Sequence, residues 1–151
     1  MAGDKTIIYR LMTEDDVPAV LAIERQAYAF PWTEGIFHDC LRVGYRCRVL
    51  EQEGDILAYG ISSIAAGESH ILNLCVQPSM RRQGLGRQLL DYLMDEAQRS
   101  QVEMMLLEVR ISNAAAIGMY QQAGFNEIGL RQNYYPAGDG KEDALLMARA
   151  F

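Results

Sequence analysis

Positions 81–93 read RRQGLGRQLLDYL, with Arg81, Arg82, Arg87, Gly84 and Gly86 inside seven residues. A helix that starts here would expose unpaired backbone N–H groups and the positive end of its dipole. Glycines at that point let an anion approach the backbone, because no Cβ stands in the way. The chemistry this suits is the holding of a phosphate. The stretch is not a Walker A loop, since no G-K-[ST] follows. It is not a dinucleotide fingerprint either, because the third glycine is missing. By themselves these residues serve equally as a glycine-rich turn before an ordinary helix with solvated arginines.

Other chemically capable residues lie farther along. Glu108 interrupts the apolar run MMLLEVR (104–110). It is either a solvated strand-end charge beside Arg110, on the same face by alternation, or an acid–base group. Tyr120 falls seven residues after Asn113, on one helical stripe with Ile117. It is either a core tyrosine or a hydroxyl aimed at a ligand. Cys75 has no histidine predictably near it, and its strand would bury it, so it reads as a small apolar residue and not a nucleophile. Trp32 in AFPW (29–32) and Tyr134 and Tyr135 in NYYP (133–136) sit in aromatic, proline-bearing turns. Their rings either join the core or wall a groove. His38 and Cys40 point to different helix faces, His70 has no nearby cysteine, and no metal site is expected.

These groups must be positioned by a chain of 151 residues, which fits one domain over 1–151. Half the residues are apolar, enough for a sizeable core. The net charge of -6 argues against general polyanion binding, so no direct nucleic-acid contact is expected. It would permit a basic partner. Three cysteines without a C-x-x-C pair argue against a disulfide framework and for a reducing compartment. MAGDKTIIYR lacks the apolar stretch of a signal peptide, and no run approaches membrane-spanning length. The expectation is a cytoplasmic protein without membrane association.

The elements follow from pattern and punctuation. TIIYRLM (6–12) reads as a strand, and Thr13 caps a helix to about Tyr28, with Pro18 a little inside its start. Thr33 caps a second helix ending near Gly44. RCRVLEQ and ILAYGISSIA form a hairpin around EGD, and SHILNLCVQ (69–77) follows. Leu85, Leu89, Leu90, Leu93, Met94 and Ala97 recur at helical spacing to about Ser100. EMMLLEVR (103–110) is a strand, and Asn113 caps a helix closed by a left-handed Gly124. Strands NEIGLRQNYY and DALLMARAF close the chain, joined by PAGDGKE. The order is β-α-α-β-β-β-α-β-α-β-β. The strands at 69–77 and 103–110 flank a helix and should be parallel neighbours, with antiparallel hairpins beside them.

In that setting Arg81-x-x-Gly84-x-Gly86 resembles the R/Q-x-x-G-x-G/A signature of the GCN5-related N-acetyltransferases (GNAT), which holds the pyrophosphate of acetyl-coenzyme A. The resemblance spans nearly the whole chain. It is sharpest in LEVRISNAAAIGMYQQAGF, RQNYYP…DGKEDALLMA and AFPW, which are similar to the bacterial members that acetylate the N-terminal alanine of a small-subunit ribosomal protein. It implies an α/β (mixed α+β) GNAT fold, with a mixed sheet of about seven strands and helices on both faces. It also implies that Arg82, Gln83, Gly84, Leu85, Gly86 and Arg87 wrap the pyrophosphate, chiefly through N–H groups. Leu74, Cys75 and Val76 would pair through their backbone with the pantetheine arm, where a splay from the next strand opens a cleft. Asn113 would contact the cofactor as well as cap its helix.

The resemblance implies the chemistry too. An α-amino group has a pKa of roughly 7.7–8.0, so near neutral pH a base must take its proton. Glu108 would be that acceptor, directly or through water, and Tyr120 would give a proton to the departing thiolate. Direct attack in one ternary complex is expected. Trp32, Tyr134 and Tyr135 would wall the acceptor groove. The partner would be the basic N-terminal segment of a small-subunit ribosomal protein, and the enzyme a monomer using acetyl-CoA and no metal. Three rivals stay open: acetylation of a lysine or small-molecule amine, a coenzyme A-binding module without turnover, and a nucleotide-binding adaptor. The adaptor is disfavoured by the absent nucleotide motifs.

Overall fold

Strict alternation sets the strands that carry the candidate residues. In β4 (Glu68–Val76), Ser69, Ile71, Asn73 and Cys75 are buried, while His70, Leu72, Leu74 and Val76 share the other face. In β5 (Met104–Arg110), Met105, Leu107 and Val109 are buried, and Leu106, Glu108 and Arg110 face the opposite way. The computed structural model describes residues 6–151. The remaining elements are β1 (Ile7–Leu11), α1 (Val17–Ala27), α2 (Glu34–Arg42), β2 (Arg46–Gln52), β3 (Asp55–Ala65), α3 (Leu85–Arg99), α4 (Ala114–Gln122), β6 (Asn126–Ala137) and β7 (Gly140–Ala150). Seven strands form one sheet in the order β1-β2-β3-β4-β5-β7-β6. As expected, β4 and β5 pair in parallel, from Glu68↔Met104 to Ile71↔Leu107. The pairs β1–β2, β2–β3, β5–β7 and β6–β7 are antiparallel. The result is the mixed α/β fold that the element order implies.

The chain divides into two compact units that share β3, β4 and α3. The first comprises Met1–Ser62 and Asn73–Leu93. Its core includes Val17, Val20, Phe37, Val49 and Ile61, all fully buried. A further cluster joins Leu50, Leu57 and Ala58 to Leu85 and Leu89 of α3. Gly60 lets α3 lie close on β3, since a Cβ there would lie 2.8 Å from Leu93 Cδ1 and force that side chain to shift. The second unit comprises Ser63–Leu72 and Met94–Phe151. Its core includes Met105, Leu107, Phe125, Ala144 and Met147. Tyr120 meets Phe125 edge-on at 5.6 Å in the same unit.

Several boundaries differ from expectation. Thr13 does not cap a helix reaching Tyr28. A 3-10 turn at Glu14–Asp16 intervenes, and α1 starts at Val17. That start places Pro18 in the first turn, where its missing N–H costs no helical hydrogen bond. PAGDGKE is not a long loop. The last hairpin stays paired to Ala137↔Gly140 and turns through residues 138 and 139 alone. Pro136 is tolerated in that pairing because β6 is an edge strand. Thr33 and Asn113 cap as expected, accepting from Ile36 N–H at 3.4 Å and Ala116 N–H at 3.2 Å. Gly124 takes the left-handed φ of +95° beyond the end of α4.

Candidate functional site

In the first unit, β4 leads through a short 3-10 turn, Pro78–Met80, to the glycine corner. Arg82 and Gly84 both have positive φ, 65° and 77°. Gly84 has open space where a Cβ would stand. The first bond of α3 runs from Gln88 N–H to the Gly84 carbonyl at 3.0 Å. The N–H groups of Leu85, Gly86 and Arg87 therefore precede the helical ladder and are its first-turn donors. The Leu85 side chain is buried in the core, so this residue offers its backbone. Arg81, Arg82 and Gln83 are exposed. Arg87 is tied to Asp91 at 2.9 Å. A backbone cradle with flanking cations fits a pyrophosphate.

Leu74, Cys75 and Val76 lie beyond the ladder with β5, which ends at Ile71. The side chains of Leu74 and Val76 pack on the Leu85–Leu89 cluster. The Leu74 carbonyl accepts a hydrogen bond from the Tyr28 hydroxyl at 3.2 Å. Cys75 is 3 % exposed. Burial is the main influence on its thiol and holds it above its ordinary value. That keeps it in the un-nucleophilic form.

Sequence reasoning missed the residue at the centre of this unit. Glu24 on α1 is 2 % exposed and has no cationic partner among the described residues. Its Oε1 accepts from the Tyr59 hydroxyl at 2.5 Å and Asn73 Nδ2 at 2.9 Å, and its Oε2 accepts from Trp32 N–H at 2.9 Å. Burial drives the Tyr59 phenol well above the usual range, and Cys75 and Glu24 add to the rise. The Trp32 ring leans on Phe37 at 5.4 Å and is half-buried. Thus one carboxylate fixes the AFPW turn and the residue preceding Leu74.

In the second unit, Glu108 is not the solvated strand-end charge its sequence position allows. Its side chain is 12 % exposed, and Oε2 meets His70 Nε2 at 2.6 Å. Parallel pairing sets His70 opposite Leu106, so Glu108, two residues on, shares its face. Arg131 Nε lies 3.7 Å from Glu108 Oε1. Arg110 bonds Glu142 at 3.0 Å and the Pro136 carbonyl at 2.7 Å. Its guanidinium covers the Tyr135 ring at 4.6 Å. His70 is the second residue that sequence reasoning missed.

Tyr120 is buried, and desolvation followed by the Tyr135 phenol holds its hydroxyl above the ordinary range. It stays protonated near neutral pH and so is available to donate. Tyr135 is pushed up to about 12, by burial and then by the Glu108 charge. Tyr134 is exposed, stacked edge-on against Tyr135 at 4.9 Å, with Arg131 over its ring at 5.5 Å. Asn113 is exposed at the head of α4. The second unit thus gathers Glu108, Tyr120, Tyr134 and Tyr135, while the first gathers Trp32, the β4 end and the glycine corner. Among the described residues, no three or more His, Cys, Asp or Glu side chains are grouped to hold a metal ion. No helix is long and apolar enough to cross a membrane among the same residues.

Residues 8–125 match the model of the acetyltransferase (GNAT) family. The chain is 46% identical over 133 residues to the [ribosomal protein bS18]-alanine N-acetyltransferase of Escherichia coli strain K12, covering 88% of this chain and 90% of that protein. It is 41% identical over 138 residues to the protein of the same name from Salmonella typhimurium, covering 91% and 93%. Among solved structures, the ribosomal-protein-S18-alanine N-acetyltransferase of Escherichia coli superposes with a TM-score of 0.91 at 42% identity, covering 96% of this chain and 94% of that one.

Proposed function

The chain belongs to the acetyltransferase (GNAT) family and is an acyltransferase that draws on acetyl-CoA, and from that premise we propose that it acetylates the α-amino group of the N-terminal alanine of a small-subunit ribosomal protein. The observation that carries this reading is the 46% identity to the Escherichia coli bS18-alanine N-acetyltransferase over 88% of this chain. The chain acts as one N-acetyltransferase domain, a cytoplasmic monomer whose acceptor is a basic N-terminal segment. The net charge of -6 is compatible with such a partner.

Acetyl-CoA supplies the activated acyl group as a thioester. The first-turn N–H groups of Leu85, Gly86 and Arg87, with Arg82, Gln83 and Gly84, hold its pyrophosphate. The open space at Gly84 supports this assignment. The backbone of Leu74, Cys75 and Val76 takes the pantetheine arm, and Asn113 adds a polar contact. Cys75, buried and protonated, forms no acyl intermediate, so the amine attacks directly. Holding both substrates together is then the main source of rate. Glu108 serves the removal of the proton from the incoming amine, directly or through an intervening group. Tyr120, which holds its own proton tightly, gives it to the leaving thiolate. Trp32, Tyr134 and Tyr135 line the acceptor's path.

The test is a panel of basic peptides with free N-termini that differ in their first residue, incubated with acetyl-CoA and read by mass spectrometry. The alanine-ended peptide is expected to react fastest. An unmodified alanine peptide beside a reacting lysine or small-molecule amine would overturn the acceptor assignment. No reaction at all would leave only coenzyme A binding.

A further inference from the structure

We infer that His70 is the group that touches the acceptor amine and takes its proton, and that Glu108 acts behind it by fixing the tautomer and orientation of the imidazole. The inference rests on the proposed acetyl transfer and refines its proton path.

The two side chains form one unit. His70 Nε2 and Glu108 Oε2 are 2.6 Å apart, a short contact for a charge-assisted pair. Their exposures differ in the direction that matters. The Glu108 side chain is 12 % exposed and the His70 side chain 34 %. Glu108 Oε2 is taken by the imidazole, and its Oε1 has Arg131 Nε at 3.7 Å. The second ring nitrogen of His70, Nδ1, has no partner among the described residues, and it is absent from the buried unpaired atoms, of which Ser69 Oγ is the single example there. Nδ1 is therefore the open end of the pair.

A carboxylate bound to one nitrogen of an imidazole selects the tautomer that leaves the other nitrogen able to accept a proton. It also stabilises the imidazolium that results, as the third member of a catalytic triad does. An amine meeting this pair from solvent reaches Nδ1 more readily than either carboxylate oxygen. The step balances simply. As the C–N bond forms and the C–S bond breaks, one proton leaves the amine nitrogen for Nδ1, and the thiolate receives one from the Tyr120 hydroxyl. The imidazolium then gives its proton to water, and the Tyr120 phenolate takes one back from water, which restores both groups.

The strand geometry makes the pair specific. His70 and Glu108 sit 38 residues apart and meet only through the parallel register that sets His70 opposite Leu106. A one-residue slip in either strand would turn one of them to the buried face.

The test uses full-length His70→Gln and His70→Ala with an alanine-ended peptide. Gln keeps a donor to Glu108 but cannot accept a proton at neutral pH. Both variants are expected to keep the wild-type melting temperature and acetyl-CoA affinity, while kcat falls about 100-fold or more. Added imidazole should restore part of the rate to the Ala variant and none to wild type. A purely structural histidine would not give that rescue. A folded His70→Gln enzyme with wild-type kcat, or an Ala variant that is slow yet deaf to imidazole, would overturn the inference. Wild-type turnover in the same assay reports separately on the acetyl-transfer reading.

Discussion

Two carboxylates, Glu24 in one unit and Glu108 in the other, show what distinguishes a fixed buried charge from a working one. Glu24 accepts from three donors, Trp32 N–H, Tyr59 Oη and Asn73 Nδ2, none of which is a base. It is sealed at 2 % exposure. Sealed from solvent and supplied with three donors, it holds backbone in place. Glu108 is also largely covered, but its main partner is an imidazole whose other nitrogen is open. The same functional group is a clamp when its partners only donate. It becomes part of a proton path when one partner can both give and take.

Substitutions at these sites should separate the two behaviours. The largest effect is expected at Glu108→Gln, where kcat near neutral pH should fall by about 10²–10⁴-fold while the melting temperature changes little. The deficit should shrink as pH rises past about 8, because more of the amine then arrives already neutral. Steady-state rates across pH check both points. A variant equal to wild type at every pH would make Glu108 a second clamp.

Tyr120→Phe removes one hydroxyl and little packing, and kcat is expected to fall about 100-fold with acetyl-CoA affinity unchanged. A second signature follows from the raised hydroxyl. The folded state holds this proton more tightly than the unfolded chain, whose tyrosines titrate near about 10. The resulting stability is full below that pH and is lost as pH rises through the folded value. Alkaline denaturation of the Phe variant should lack this contribution. Full activity in the Phe variant would return Tyr120 to the core.

Glu24→Gln puts an NH₂ group among donors. Each unsatisfied buried group costs about 1–3 kcal/mol, so a loss of about 2 kcal/mol and about 4–8 °C in melting temperature is expected. Residual turnover at low temperature should exceed that of Glu108→Gln. Chemical denaturation and rates measured together would show a reversal if the roles were exchanged. The smallest effect belongs to Cys75→Ala, which replaces one buried thiol by a methyl group. Rates within about 2-fold of wild type and sequential kinetics are expected. An acetyl adduct on Cys75 in the native enzyme would contradict direct attack.

The glycine corner, the α3 repeat and the interruption at Glu108 were legible because each is a local pattern. Leu85, Leu89, Leu90 and Leu93 mark one helical face, and that face is buried. His70 carried no such mark. Its partner is set by a parallel register between strands joined by a crossover, and alternation gives a residue's face but not its neighbour across the sheet. Alternation put Arg110 on the face of Glu108, as found, but could not show that Glu142 of the neighbouring strand would be its partner. Glu24 in IERQA looks like a solvated helix charge. Only the convergence of Trp32, Tyr59 and Asn73 on it makes it a core residue. The start of α1 and the PAGDGKE turn were misplaced because a 3-10 turn and a two-residue hairpin leave weaker signals than helical or alternating periods.

The most direct measurement of the acceptor is a pair of identical basic peptides, alanine-ended and containing lysines, one with a free and one with a blocked N-terminus. Each is incubated with the wild-type enzyme and acetyl-CoA, and the modified atom is located by tandem mass spectrometry. A single acetyl group on the α-nitrogen of the free peptide, with the blocked peptide unmodified, is the expected result. Equal modification of both peptides on lysine Nζ would contradict it and make this chain a lysine acetyltransferase.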